Sequence, residues 1–420
     1  MLDIKFIRQN PQLVKEGAQK KNINIDIDNI LDIDRQRREG IQALEDMRAK
    51  KNEASKKIAE AKDDNERKSI IMQMKELDGN NDKLEEKVKS LESEFDTLLK
   101  QIPNLPLDTV PVGKDDSENV ILEQIGKKPD FDFIPKDYME LGENLDIIDV
   151  KRAAKVSGSR FGYLKGKLAL MEFALVNLVL DKLTKNGFIP IIPPVLLKPE
   201  IASGMGFLEQ GNDEDAYYLP KDDLFLAGTA EQPLGGLHAG ETFEEKDLPR
   251  RYVGFSTCFR REAGSYGKDT KGILRVHQFD KLEMFSYSKP EESIKEHRLF
   301  LEMEKELMKE VKLPFQVVHI ASGDLGVPAA EKFDIETWIP LENKYRETHS
   351  TSNCTDFQSR RLGIRYKDKN GNTDFVHTLN GTAFAIGRIL IAIIENYQQK
   401  DGSIEVPKVL QKYLSFKVIK

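Results

Sequence analysis

Cysteine is scarce in this chain: two in 420 residues, Cys258 and Cys354. They lie far apart in sequence, which indicates neither a disulfide framework nor a thiolate zinc cluster. Proline is missing altogether between Arg35 and Ile102, and the only glycines there are Gly40 and Gly79, so little in that stretch would break a long helix. No long apolar run exists either. The most apolar segment, Phe384 to Ile394, is interrupted by Arg388 and is too short to span a bilayer. No basic, apolar and small-residue pattern opens the chain, so the expected location is the cytoplasm. The two usual nucleotide cradles, GxxxxGK[ST] and a helix-opening GxGxxG, are absent, as is HExxH. Positive charge is also in deficit. With a net charge of −7, any polyanionic partner has to be met by local basic patches.

What is present divides into two parts. Hydrophobic residues make up 39% and charged residues 32%, the composition of a soluble protein with an extended, well-solvated portion. Residues 1 to about 34 read as a short helical entry. From Ile70 the apolar positions Met74, Leu77, Leu84, Val88, Leu91, Phe95, Leu98 and Ile102 alternate by four and three residues, with Asn81 the one polar member. That is a coiled-coil seam with a register-fixing polar residue. Ile41, Leu44, Met47, Lys51, Ala54, Ile58 and Ala61 keep the period more loosely, and Lys62 to Glu66 is a plausible turn. The spacing predicts a long antiparallel helical hairpin over about 35–102. Arg48, Lys50, Lys51, Lys56, Lys57 and Lys62 form a cationic stripe facing only Glu53 and Glu60. Such a stripe suits a phosphate backbone, although most coiled coils are structural or bind protein partners.

The proline-rich stretch after Ile102 ends the helix, and a domain boundary is expected near 110. Beyond it, helices are expected at Asp137–Leu141, Leu164–Lys185, Leu234–His238, Glu291–Lys312 and Thr382–Tyr397. Strands are expected at Leu224–Gly228, Phe315–Ile320, Phe333–Ile339 and Thr373–Leu379. Pro190, Pro193 and Pro194 restrict the apolar run from Phe188 to a sheet edge or an interface. Without a repeating strand–helix alternation, the pattern favours an antiparallel α+β domain. Its centre is Arg251 to Phe285, two alternating arms joined by a loop with Gly264, Gly267, Lys268, Lys271 and Gly272. On the second arm Arg275, His277, Phe279, Lys281 and Glu283 share one face, opposite Leu274, Val276, Leu282 and Met284. Phe279 and Glu283 would stand roughly 13 Å apart, a span that fits a stacked ring at one end and an amine at the other. An exposed hairpin with solvated charges fits the same spacing. Arg388, inside an apolar helix, would meet either an anion or a buried glutamate.

These residues carry a family resemblance. The run Gly187 to Pro194 is similar to the first motif of class II aminoacyl-tRNA synthetases. Phe259 to Glu262 with Arg275 to Glu283 resembles the second motif, and Asn380 to Arg388 the third. Thr229 to Glu231 and Glu347 to Asn353 are similar to serine-specific elements, and the whole chain resembles the seryl-tRNA synthetase family in its common non-zinc form. The resemblance implies an N-terminal tRNA-binding domain over 1–110, with the coiled coil gripping serine tRNA, and a class II catalytic domain over 111–420 with a helix-flanked antiparallel sheet. It implies a cytoplasmic homodimer, built through the first motif, that acts on L-serine and ATP with Mg²⁺ and no zinc. Selenocysteine tRNA is a second candidate substrate.

By the same resemblance Thr229, Ala230, Glu231, Arg260, Glu283, Asn380 and Thr382 would bind serine. ATP would contact Arg260 at the α-phosphate, Glu262 and Phe279 at adenine, and Arg275 and Arg388 at the outer phosphates. Arg261, Val276, Thr348 and His349 would lie alongside. Arg260 and Arg388 would be catalytic, and Glu347 and Ser350 would hold Mg²⁺. Arg48, Lys50, Lys51, Lys56 and Lys57 of the arm, and Lys268 and Lys271 of the loop, would meet tRNA. Gly228, Gln232, Thr348, His349, Thr382 and Ala383 depart from the commonest bacterial pattern, and Thr382 still supplies a hydroxyl.

Overall fold

The computed structural model describes residues 1–61, 63–208, 212–263 and 272–420, and the side chains of these apart from 66, 73, 75–80, 212 and 213. The chain forms two compact units. One contains residues 2–19 and 23–103; the other contains residues 1, 20–22 and 104–420.

The first unit is helical. Helix α1 (Ile4–Gln9) is capped by Asp3, and α2 (Pro11–Lys20) starts on a proline, where the missing N–H costs no helical bond. The hairpin is α3 (Ile27–Glu60) and α4 (Asp64–Gln101). It therefore begins earlier than the expected residue 35. Asp26 accepts a hydrogen bond from the Asn29 amide at 2.9 Å, and Ile27, Ile30 and Ile33 are already buried, so cap and apolar face together pull the start forward. Helix α4 starts at Asp64, inside the segment expected to turn, with Asp63 as its cap. The expected seam is present: Leu44, Asn81, Val88, Leu91, Phe95 and Ile102 are buried. Each buried Leu or Phe contributes about 2 kcal/mol. Asn81 donates from Nδ2 to Glu85 at 2.9 Å. Gly40 faces Val88, whose Cγ2 would lie 2.7 Å from an added Cβ, so alanine there would push the helices apart.

The second unit is built on one eight-stranded sheet. Its strands are β1 (Val120–Ile125), β2 (Ile189–Ile191), β3 (Arg250–Phe259), β4 (Gln278–Ser288), β5 (Phe315–His319), β6 (Glu331–Ile339), β7 (Lys344–Asn353) and β8 (His377–Ala385). They lie in the order β1-β5-β6-β7-β8-β4-β3-β2. Every pairing is antiparallel except that of β2 with β3. The expected α+β architecture is therefore found, with the proline-bearing β2 at an edge, where its missing donor interrupts no ladder. Helices α5 (Gly166–Lys185), α6 (Ser293–Val311) and α7 (Ile386–Asn396) bury Leu175, Phe300, Leu307 and Ile393 with Leu282, Met284 and Phe384 of the sheet in one core.

Three expectations need correction. The segment 373–379 is not one strand: Thr373–Phe375 belongs to a separate three-stranded sheet, and β8 starts at His377. The segment from Thr382 is not helical at its start. Asn380 to Ala385 belong to β8, held between β4 and β7, and the helix begins at Ile386. The helix expected at Leu234–His238 spans Glu231–Gly236. Strand β1 was not anticipated.

Candidate active site

The central strand β4 positions the cleft. It is flanked by β3, with Phe279 opposite Cys258, and by β8, with Glu283 opposite Thr382. Its alternation holds as expected from Gln278 onward. Phe279, Lys281 and Glu283 line cavities, while Leu282 and Met284 are fully buried in the core on the other face. Arg275 and His277 precede the strand rather than lying on it. Arg275 still reaches the cleft, where its guanidinium donates to Glu262 Oε2 at 3.1 Å. Glu262 has φ 53°, the left-handed conformation in which the chain turns away from β3.

At one end a cavity of about 440 Å³ is lined by Thr229, Glu231, Arg260, Lys281, Glu283, Ser350, Asn380 and Thr382. Glu231 Oε1 accepts from Gln358 Nε2 at 2.9 Å and Asn380 Nδ2 at 3.0 Å. Burial, and then the neighbouring Glu283, push the Glu231 carboxyl up to about 7. Glu283 is 1% exposed. It pairs with Lys281 at 2.7 Å and accepts from Thr382 Oγ1 at 3.2 Å. Two carboxyls, an amide and a hydroxyl thus converge on a space suited to an ammonium and a small hydroxyl. Between Asn380 and Thr382, Gly381 faces the other way. A Cβ there would lie 3.0 Å from Glu304 Oε1 and from Phe300 Cδ2.

A second cavity of about 70 Å³ continues the first and shares Arg260, Lys281, Glu347 and Thr382 with it. Its other lining residues include Glu262, Arg275, Val276, Phe279, Thr348 and Arg388. Arg260 donates from Nε to the Gly228 carbonyl at 2.9 Å, and its guanidinium carbon lies 5.4 Å from the Phe279 ring centroid. Arg388 is in the first turn of α7 rather than inside an apolar helix. It pairs with Glu347 at 3.2 Å and donates to the Glu347 carbonyl at 2.9 Å. The Glu347 side chain is 48% exposed; desolvation by the surrounding cleft would raise its carboxyl, but Arg388, Lys332 and Arg260 hold it well below its ordinary range. Three cationic groups around one ionised carboxylate suit a polyphosphate.

Glu347 and Ser350 are three residues apart and would face opposite sides of a regular strand. The register of β7 against β6 shifts between Ile335 and Glu336, which leaves Asp334 opposite Ser350 and Glu336 opposite Glu347. This bulge puts both residues on the cleft wall. An ionised carboxylate and a hydroxyl beside a cationic phosphate site fit Mg²⁺, which takes few protein oxygens and completes its shell with phosphates and water. Among the described residues no group of three or more His, Cys, Asp or Glu could hold a metal by itself.

Comparison with known proteins shows the family. Residues 217–397 match the family described as tRNA synthetase class II core domain (G, H, P, S and T), and residues 1–106 match the seryl-tRNA synthetase N-terminal domain. The serine–tRNA ligase of Thermobifida fusca is 45% identical over 100% of this chain and 99% of its own length. The chain belongs to the seryl-tRNA synthetase family. Among solved structures, seryl-tRNA synthetase from Pyrococcus horikoshii complexed with ATP is 40% identical, with a TM-score of 0.92 over 100% of this chain and 99% of that one. Cytoplasmic serine–tRNA ligase from Naegleria fowleri in complex with AMP is 33% identical, with a TM-score of 0.88 over 100% and 99%.

Within this seryl-tRNA synthetase fold, most residues singled out from the sequence come together, and three do not line either cavity. Ala230 is wholly buried. Arg261 lies over Tyr217, 5.5 Å from the ring centroid. His349 is 1% exposed and packs against Phe384, and burial lowers its imidazole to about 3, so it stays neutral in the core. Lys268 and Lys271 lie outside the described residues, as does Lys62. Along α3, Arg48, Lys50, Lys56 and Lys57 are exposed, while Lys51 is half-buried. Sequence reasoning gave no role to Lys281, Lys332 or Gln358. Parity put Lys281 on the right face, and the 2.7 Å ion pair shows it neutralising Glu283. Lys332 pairs with Asp334 at 3.3 Å. Nothing in the sequence pointed to Gln358 holding Glu231.

Proposed function

We propose that this chain is a serine–tRNA ligase whose residues 111–420 activate L-serine and whose residues 1–110 bind serine tRNA through the helical hairpin. The observation that carries the reading is the continuity of a carboxyl-lined pocket with a cationic cleft across Arg260, Lys281, Glu347 and Thr382. A serine carboxylate oxygen attacks the α-phosphorus of ATP. The new O–P bond forms as the bond to pyrophosphate breaks, giving seryl-adenylate. The terminal ribose hydroxyl of tRNA then attacks the seryl carbonyl, AMP leaves, and the hydroxyl proton passes to solvent. Selenocysteine tRNA is included as a second acceptor.

No side chain acts as a nucleophile here; positioning and charge stabilisation supply the rate. Arg260 bridges the two cavities and would neutralise the α-phosphate, with Arg275 and Arg388 on the outer phosphates. Mg²⁺, held by Glu347 and Ser350, would neutralise phosphate charge. Phe279 would stack adenine, with Glu262 at its edge. Glu231 and Glu283 would receive the serine ammonium and hydroxyl with Thr382. The arm's exposed Arg48, Lys50, Lys56 and Lys57 would meet tRNA phosphates, together with Lys51, Lys268 and Lys271.

We also propose a homodimer in the cytoplasm. Its support is exposed apolar side chains in and before the first motif: Leu170 and Phe173 of α5 are 52% and 59% exposed, and Ile192 next to β2 is 85% exposed, side chains that a partner chain would cover. Among the described residues no helix is long and apolar enough to cross a membrane.

Serine-dependent ATP–pyrophosphate exchange tests the reading, with alanine as the control. Alanine leaves the hydroxyl partners in the pocket unpaired and should be disfavoured by about 100-fold or more. Equal exchange with the two amino acids would reject the pocket assignment.

A further inference from the structure

The loop from Gly326 to Ala329 forms one wall of the larger cavity. Its four successive carbonyls have polar partners from two distant points of the chain. Lys21 Nζ donates to Gly326 O at 2.9 Å, Val327 O at 3.2 Å and Ala329 O at 2.6 Å. Asn104 donates from its backbone N–H to Val327 O at 3.0 Å and from Nδ2 to Pro328 O at 2.8 Å. The same Nδ2 reaches Cys354 O at 2.8 Å, and Cys354 also lines the cavity. Lys21 and Asn104 are 4% and 3% exposed.

Burial lowers the Lys21 amine to about 7; when protonated it has three N–H donors and no acceptor, and each donor then has one carbonyl. A buried lysine with no carboxylate hydrogen-bonded to it is expensive. It is held where the backbone of a loop presents its oxygens inward. Neither residue reaches the cavity itself, so what each can change is the position of the wall. Asn22 and Asn104 are also the points at which the chain leaves for the helical unit and returns from it.

We propose that Lys21 and Asn104 are positioning residues for the amino-acid pocket, clamping the 326–329 wall so that the space opposite Glu231 and Glu283 has a fixed size. The proposal rests on the serine-activation reading for its kinetic consequence, but the clamp can be tested without it.

The experiment uses full-length Lys21→Met, which keeps the length of the side chain and removes the donors. Serine-dependent pyrophosphate exchange should show KM for serine raised about ten-fold, with kcat and KM for ATP within about two-fold of the unaltered protein, since unpaired carbonyls let the wall move while the phosphate cleft is untouched. Lys21→Arg, which restores a buried cation with several donors, should recover most of the serine KM. In ligand-free protein the amides of Ala329 and Ala330, bonded to Gly326 O and Asn353 O, should exchange faster with deuterium in Lys21→Met. A folded Lys21→Met with unaltered serine KM overturns the proposal, as does a rise in KM for ATP by the same factor. If Lys21→Met does not fold, Asn104→Ser carries the test, with about a three-fold rise in serine KM expected and an unchanged KM overturning the idea. If the unaltered protein shows no serine-dependent exchange, the functional reading fails. Amide exchange then decides the clamp alone: faster exchange at Ala329 and Ala330 supports it, and unchanged exchange ends it.

Discussion

The hairpin and the cleft handle charge in opposite ways. Along the hairpin, ion pairs sit in water. Arg35 pairs with Asp32 and Glu39, and Lys57 with Glu53, all with more than half or nearly half of each side chain exposed. Such pairs add little to stability because solvent and salt screen them. Among the described residues of the hairpin, a carboxylate is enclosed only at the base, where burial would raise Asp34 but Arg8, Arg37 and Arg38 hold it below its ordinary range. In the cleft, Lys281 and Glu283 are 9% and 2% exposed at the side chain, and removing either would strand the other. Solvated charges leave the hairpin's fold to its seam. Enclosed charges make the cleft's fold and its chemistry inseparable.

The largest effect should come from the point where the cleft's two cavities meet. Arg260→Ala should lower kcat for serine-dependent exchange about 10³-fold; a rate near that of the unaltered enzyme would remove Arg260 from the mechanism. Next, cutting the chain after Arg48 and rejoining it at Glu85 through a short turn should reduce charging of serine tRNA about 10²-fold. Pyrophosphate exchange should stay within about two-fold, because the removed residues belong to the helical unit and the pocket's lining residues to the other. Loss of both activities together would break the contrast.

Matched substitutions sharpen the comparison further. Lys281→Met should cost about 3 kcal/mol in urea unfolding by leaving Glu283 buried and uncompensated, whereas Lys57→Met should leave the midpoint unmoved. The effect of pH is smaller when taken per unit. An unfolded Glu231 ionises near 4.5, while the folded one keeps its proton to about 7. Stability therefore falls across that window as pH rises, by up to roughly 1.4 kcal/mol per unit from this group. Glu231→Gln should remove that slope when ligand-free protein is unfolded at pH 5, 6 and 7; parallel curves for the two proteins would refute it.

The same contrast explains what could be read in advance. A hairpin obeys local periodicity, so the seam through Asn81, Val88, Leu91 and Phe95 was visible residue by residue. Its start lies before the expected residue 35 because the cap at Asp26 and the buried Ile27, Ile30 and Ile33 precede the proline-free stretch. The sheet depends on partners distant in sequence. Between Thr382 and Tyr397 the apolar run is interrupted at Gly387 and Arg388, and with Ala385 before it no capping side chain marks Ile386 as the point where strand becomes helix. The strand face of Phe279, Lys281 and Glu283 was legible by parity. The shared face of Glu347 and Ser350 was not, since it depends on a bulge set by pairing with β6. The family motifs supplied the roles; register and burial supplied the neighbours, including Lys281, Lys332 and Gln358.

The glycine between Asn380 and Thr382 has a consequence for how this pocket could change. Its missing side chain lets the backbone between two pocket-lining residues lie against Glu304, a wholly buried acid whose carboxyl is driven far above its normal range by burial, Glu283 and Asp334. The floor is a partition one residue thick. Selectivity can therefore be altered from the room behind it: a bulkier or smaller group at 304 would raise or lower the floor without ever touching a substrate.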